Sequence, residues 1–337
     1  MLAATLASVP RMALDPLLVA ALLLVGGLFA LVVASDQLVA GAARLSSRIG
    51  VAPVLVGVVI IGFGTSVPEL LVSLLAAIEG VFDLGVGNIV GSNLANVLLV
   101  LGAAAVVGPV IVSRTVVRRE VPISLVGVLA FAWVVQGPLS RVEAVALALL
   151  LVVSLTALVA LARRDGAAPA PGLDTLDEVL EDADPEGHGI GREALRALLG
   201  LAFTLGGAQM VVLGGSEIAL AAGLSDAFVG LTIVAVGTSL PELAAAVQSV
   251  RRGATDLLVG NILGSNLFNA LAVGPVVVWT GASLGRVVSP DLAGRATLLM
   301  VVAVVAVSTL LLRRRIDRIA GLVLLAAYAA SVVLMAG

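Results

Sequence analysis

Apolar runs of about 20 residues follow one another from residue 16 to residue 336, parted only by short polar breaks. An α-helix of that length crosses the hydrocarbon core of a bilayer, and a lipid-exposed span must satisfy its own backbone hydrogen bonds. The chain is therefore restricted to a polytopic helical membrane protein. Its charge agrees: 12% of residues are charged and 60% hydrophobic, where a soluble domain carries roughly twice that charged fraction. There is no cysteine, which excludes disulfides, thiolate metal sites and thiol catalysis. The one histidine, His188, cannot build a metal cluster alone. Nothing resembles a Ser-Lys, Ser-His or metal-His constellation, so no enzymatic activity and no resident cofactor are expected. No nucleic-acid partner is expected either.

Cutting the runs at their polar breaks predicts ten spans, near 16–42, 51–78, 85–108, 119–137, 141–162, 194–222, 227–250, 255–281, 292–312 and 316–336. All the basic residues are arginines, and ten spans divide them unevenly. Fifteen, among them Arg44, Arg119, Arg196, Arg252 and Arg314, fall on one side; Arg11, Arg141, Arg286 and Arg295 fall on the other. Under the positive-inside rule the richer side is cytoplasmic, which puts both termini outside, extracellular or periplasmic, in a plasma or inner membrane. Residues 1–15 read as a short tail, poor as a signal peptide. The segment 163–193 reads as an acidic cytoplasmic linker. Within it Asp182, Asp184, Glu186, Gly187 and Glu193 fall at positions 1, 3, 5, 6 and 12 of an EF-hand-like calcium loop. Gly189 stands where that loop usually has an apolar residue and there is no second hand, so a solvated linker is the preferred reading.

Sliding the chain by 173 residues lays its second half over its first without a gap. Half of the positions between 57 and 96 are then identical, among them the residues of GTS, PEL, GN and GSNL. Five spans separate matched elements, and five is odd, so the halves sit in opposite orientations. The expected fold is all-α: ten transmembrane helices as two inverted five-helix repeats, 16–162 and 194–337. In transporters of this plan the site lies near the membrane midplane, where the repeats meet.

The identity is concentrated in two polar clusters. In "GFGTSVPELLVS" (62–73) Thr65, Ser66 and Glu69 share a helix face, as do Thr238, Ser239 and Glu242 in "AVGTSLPELAAA" (235–246). Pro68 clashes with the Gly64 carbonyl and Pro241 with that of Gly237, so carbonyls near 62–65 and 235–238 are freed for other partners. The next spans add Asn88, Ser92 and Asn96 at i, i+4 and i+8, and likewise Asn261, Ser265 and Asn269. Carboxylates, hydroxyls, amide oxygens and carbonyls are hard ligands, suited to Ca²⁺ or Na⁺ rather than to transition metals. Small polar residues in membrane helices often only shape packing, but a glutamate at mid-helix costs a few kcal/mol unless paired or hydrated. Two of them at matched points argue for a site. For Asn88 and Asn261, interhelical hydrogen bonding and a site role stay equally open. Asp83 and Asp256 read mainly as helix N-caps, and Asp36 and Glu217 as locally hydrogen-bonded.

These paired motifs resemble the two α-repeats of the cation/calcium exchanger superfamily, here 57–102 and 230–275, and above all its sodium/calcium exchanger branch. The resemblance implies antiport of Ca²⁺ against Na⁺ by alternating access, with the first and sixth spans sliding past the rest. It implies that Glu69 and Glu242 bind Ca²⁺ with the carbonyls of Thr65 and Thr238. Ser66, Ser92, Ser239 and Ser265, with the carbonyls of Gly62 and Ala235, would complete flanking Na⁺ sites, and Asn96 and Asn269 would stand at the centre. Many relatives have an aspartate at one or both central positions; here both are amides. Two glutamates balance one Ca²⁺ and leave three Na⁺ with an excess of one positive charge, and potassium co-transport becomes less favoured. A functional monomer in the lipid bilayer is expected. The rival on the same fold is Ca²⁺/H⁺ exchange, with the glutamates titrating; a cation channel is disfavoured by the inverted repeat.

Overall fold

The structure, a computed structural model, describes residues 15–50, 53–78, 82–164, 189–223 and 235–336. The expected tail, the linker from 165 to 188 with most of the EF-hand-like stretch, and the beginning of the second α-repeat lie outside the described residues.

The first helix, α1 (Pro16–Ile49), starts where Asp15 accepts a hydrogen bond from the Leu17 N–H at 2.8 Å and Pro16 sets the first turn. It stops at Gly50, whose φ of 66° is left-handed and costs a glycine little. The next stretch is broken into α2 (Val54–Thr65) and α3 (Val67–Ile78), which meet at a bend of 42°. Then come α4 (Phe82–Val107), α5 (Arg114–Val134), α6 (Arg141–Arg164) and α7 (Ile190–Ala221). The second half continues with α8 (Ala235–Thr238), α9 (Leu240–Arg251), α10 (Thr255–Ser283), α11 (Leu292–Leu311) and α12 (Arg318–Ala336). Two short strands, β1 (Val110–Ile111) and β2 (Arg315–Ile316), pair antiparallel, with Val110 opposite Ile316.

Among the described residues seven helices are long and apolar enough to cross a membrane, or eight if α2 and α3 form one bent span. The helix α5 falls short because Arg118, Arg119 and Glu120 sit in its first turns. The chain is a mostly helical polytopic membrane protein. Burial sorts the helices into layers: the most apolar windows of α4 and α10 are 78% and 83% buried, those of α1, α6 and α12 only 22%, 22% and 17%. The two helices carrying GSN thus form the centre. Outer helices turn Phe29, Val142 and Ile319 outward, as helices do in lipid.

Glycine lets the central helices touch. A Cβ on Gly260 would stand 2.4 Å from the Val54 carbonyl oxygen, and one on Gly264 2.7 Å from Val58 Cα, so α10 lies backbone to backbone against α2. The long helices α1 and α7 pack together the same way: a Cβ on Gly27 would meet the Gly207 oxygen at 2.7 Å, and one on Gly214 the Ala20 oxygen at 2.4 Å.

Candidate cation site

Both PEL segments break at the same place. Ser66 and Ser239 leave the helical region at φ −81°, ψ 6° and φ −90°, ψ 3°, two residues before Pro68 and Pro241. The proline clash is relieved there, so a new helix begins and carries Glu69 and Glu242 in its first turn. Both glutamates are buried, at 2% and 0% exposure.

The halves are joined through these breaks. Ser66 donates to the Glu242 carboxylate at 3.5 Å, and Ser265 donates to the Gly62 carbonyl at 3.1 Å. The Thr65 hydroxyl lies 3.0 Å from the Ile61 carbonyl and 3.3 Å from the Asn261 Oδ1, and its single proton serves one at a time. Asn96 donates to Asn266 Oδ1 at 3.1 Å. Gly62, Thr65, Ser66, Ser265, Glu242 and Asn96 are thus tied across the repeat boundary. Ser92 of α4 and Asn269 of α10 are buried, as is Ser239 at the break between α8 and α9; Ala235 opens α8 and Thr238, half-buried, closes it.

Four of the buried oxygens at this point have no hydrogen-bond partner among the described residues: Oε2 of Glu69, Oε2 of Glu242, Oδ1 of Asn96 and Oδ1 of Asn269. Buried oxygens without donors carry a desolvation penalty, which a bound cation would relieve. No three His, Cys, Asp or Glu side chains gather among the described residues. The donor set is two carboxylates with neutral oxygens, which fits a hard ion held loosely enough to leave again.

Asn88 and Asn261 bond between helices. Asn88 donates to the Glu69 carbonyl at 3.1 Å and to the Ser73 hydroxyl at 2.9 Å, bracing α3 from α4. Asp83 and Asp256 differ from the expected N-caps. They lie one residue inside their helices, so their oxygens accept from other segments: Asp83 from the Ser289 N–H at 3.3 Å, Asp256 from the Ser113 N–H at 3.4 Å. Asp36 also reaches further than expected. Gln37 donates to one of its oxygens locally at 3.3 Å, but Arg252 grips the other at 2.6 and 2.7 Å, because α1 passes the end of α9. Beside it Arg196 donates to Gln37 at 2.9 Å, and buried Glu193 lies 3.7 Å from Arg44 and 3.9 Å from Arg196. Glu193, the last position of the EF-hand-like stretch, is thus held by arginines. Glu217 is exposed.

Sequence reasoning missed two features. Asn96 and Asn269 each open a wider π-helical stretch, Asn96–Val100 and Asn269–Val273, a distortion often found at functional sites. No residue pattern announces it. It also passed over Asn266 as a partner of Asn96, although the repeated GSN contains it.

Residues 19–160 and 194–337 match the family model described as sodium/calcium exchanger protein. The chain is 39% identical over 258 residues to inner membrane protein YrbG of Escherichia coli, covering 76% of this chain and 78% of that one. It is 29% identical over 283 residues to sodium/calcium exchanger MaX1 of Methanosarcina acetivorans, covering 75% and 80%. A solved structure of the sodium-calcium exchanger NCX_Mj, soaked with 10 mM Na⁺ and zero Ca²⁺, superposes with a TM-score of 0.79 at 26% identity, covering 94% and 99%. With both halves matched and the polar clusters at their meeting point, this chain belongs to the sodium/calcium exchanger protein family.

Proposed function

We propose that the protein exchanges Ca²⁺ for Na⁺ across the membrane by alternating access, with the ions as substrates held between Glu69 and Glu242. The observation that carries this reading is the group of four buried, unpartnered oxygens on Glu69, Glu242, Asn96 and Asn269, contributed by both halves. Ca²⁺ sits between the carboxylates with the Thr65 and Thr238 carbonyls. Na⁺ takes flanking positions at Ser66, Ser92, Ser239 and Ser265 with the carbonyls of Gly62 and Ala235. The long helices α1 and α7 slide as a pair past the others to switch access. Their glycine-lined contact and the seating of Leu201 and Val212 of α7 over Gly64 and Gly237 support that division.

In this reading the chain has ten spans in two inverted repeats, 16–162 and 194–337, joined by the linker 163–193 and working as a monomer. The cytoplasmic end is where Arg44, Arg196 and Arg252 meet Asp36 and Glu193 and where β1 pairs with β2. The opposite end holds Arg141, whose guanidinium lies 5.3 Å from the Trp279 ring. Both termini are then outside.

The test is uptake of ⁴⁵Ca²⁺ into proteoliposomes under an imposed Na⁺ or pH gradient. An outward Na⁺ gradient drives uptake if Na⁺ is the counter-ion. Uptake driven only by the pH gradient would assign H⁺ instead, and currents that persist without any counter-ion gradient would make the protein a channel.

A further inference from the structure

Asn266 is 1% exposed, belongs to neither the carboxylate pair nor the proposed ligand set, and yet holds one of its members. Its Oδ1 accepts from Asn96 Nδ2 at 3.1 Å, while its own Nδ2 and Asn96 Oδ1 have no partner among the described residues. An amide has one accepting and one donating end, so two amides in contact form a directed chain. With the Asn96 nitrogen committed to Asn266, the end left over on Asn96 is its oxygen. If Asn266 turned over, Asn96 would have to present its oxygen to Asn266 and its N–H groups to the cation, which repel it.

The far end of that chain sets its direction. Asn266 lines a small cavity between α4, α5, α10 and α11, with room for about one water molecule, together with Ser124 and Ser308. The Ser124 hydroxyl donates its proton to the Leu263 carbonyl at 2.9 Å, so its oxygen is left to accept. An acceptor on the cavity side favours Asn266 with Nδ2 turned that way, through one water. Ser308 is the second hydroxyl on this wall, and the rest is aliphatic, with Val97, Leu101 and Val304 among its residues.

We propose that Asn266 is a positioning residue: it fixes the Asn96 amide with its oxygen toward the transported cation, and the Ser124 hydroxyl fixes Asn266. This rests on the reading that places Asn96 at the cation. The offset by 173 puts Asn93 where Asn266 is in the other half, yet Asn93 donates to the sulfur of Met300 at 3.7 Å. The two central amides are therefore held differently.

The experiment measures ⁴⁵Ca²⁺ uptake by the full chain in proteoliposomes, with thermal unfolding of each variant as a check on folding. Asn266→Leu removes the acceptor, and Asn266→Ala is the parallel arm should the larger side chain not fit. Each raises the half-saturating Ca²⁺ concentration by about tenfold, the weight of one net hydrogen bond. In an Asn96→Asp background either oxygen can face the ion and no orientation is needed, so the same substitutions change half-saturation by less than about twofold. An equal shift in both backgrounds would mean that Asn266 acts by packing, and no shift in the native background would remove its role; either overturns the proposal. Failure of the underlying reading looks different: Asn96→Asp by itself leaves Ca²⁺ and Na⁺ dependence untouched, and the proposal falls with it.

Discussion

Glu69 and Glu242 hold their free oxygens out of solvent, at a depth where an uncompensated carboxylate costs a few kcal/mol. If Ca²⁺ provides the compensation, Glu69→Gln and Glu242→Gln each remove half of its neutralising charge. Initial ⁴⁵Ca²⁺ uptake then falls at least about a hundredfold, roughly 3 kcal/mol for one buried charge partner. Substantial uptake in both variants would place the site elsewhere. The central amides are tested separately. Asn269→Asp introduces a carboxyl that titrates, ionised and attractive to Ca²⁺ at higher pH and neutral once protonated. Its Ca²⁺ uptake gains a pH dependence that the native chain lacks at this position, declining as pH falls; an unchanged profile argues against a central Asn269.

At the level of the elements, contact between helices decides what a substitution does. Gly264 of α10 has the Val58 backbone where a side chain would go, and backbone cannot give way as a flexible side chain does. Gly264→Val therefore forces α2 and α10 apart and destabilises the protein by about 1–3 kcal/mol, seen as a lower midpoint in thermal unfolding. The ion pairs at the ends of α1, α7 and α9 divide by exposure. Asp36 and Arg252 are 32% and 28% exposed, so Asp36→Asn costs less than about 1 kcal/mol despite the short contact. Glu193, 2% exposed between Arg44 and Arg196, loses more when changed to Gln, about 3 kcal/mol. Unfolding midpoints of the two variants give the comparison, and equal losses would show that burial is not what sets the difference.

For the whole molecule, the arrangement of arginines and the absence of cysteine make the proposed sidedness directly accessible to labelling. Ser140→Cys, beside the exposed end of α6, is expected to react from outside with a membrane-impermeant thiol reagent. Ala167→Cys in the acidic linker is expected to react only after the membrane is opened. The reverse pattern would invert the topology, and labelling of both from one side would break the ten-span count. The repeats also explain why α4 and α10 are central: each carries GSN, and each must sit where both halves can reach it.

Much of this was legible in the residues themselves. Long apolar runs leave a chain no choice but membrane helices, since lipid offers no partner for open backbone. The doubled GTS-x-PEL and GSNL motifs single out the candidate oxygens, because a glutamate in lipid needs something to answer its charge. Local chemistry also foretold the breaks before Pro68 and Pro241. Only the tertiary structure decided which groups those oxygens meet. That Ser265 reaches the Gly62 carbonyl, that Asp36 holds Arg252 across 216 positions, and that Asn96 donates to Asn266 depend on how the helices of the two halves cross and where α1 passes α9. Glycine permits such crossings without dictating them. Residue spacing defines the face of one helix; the partner of that face is set by packing between helices far apart in the chain.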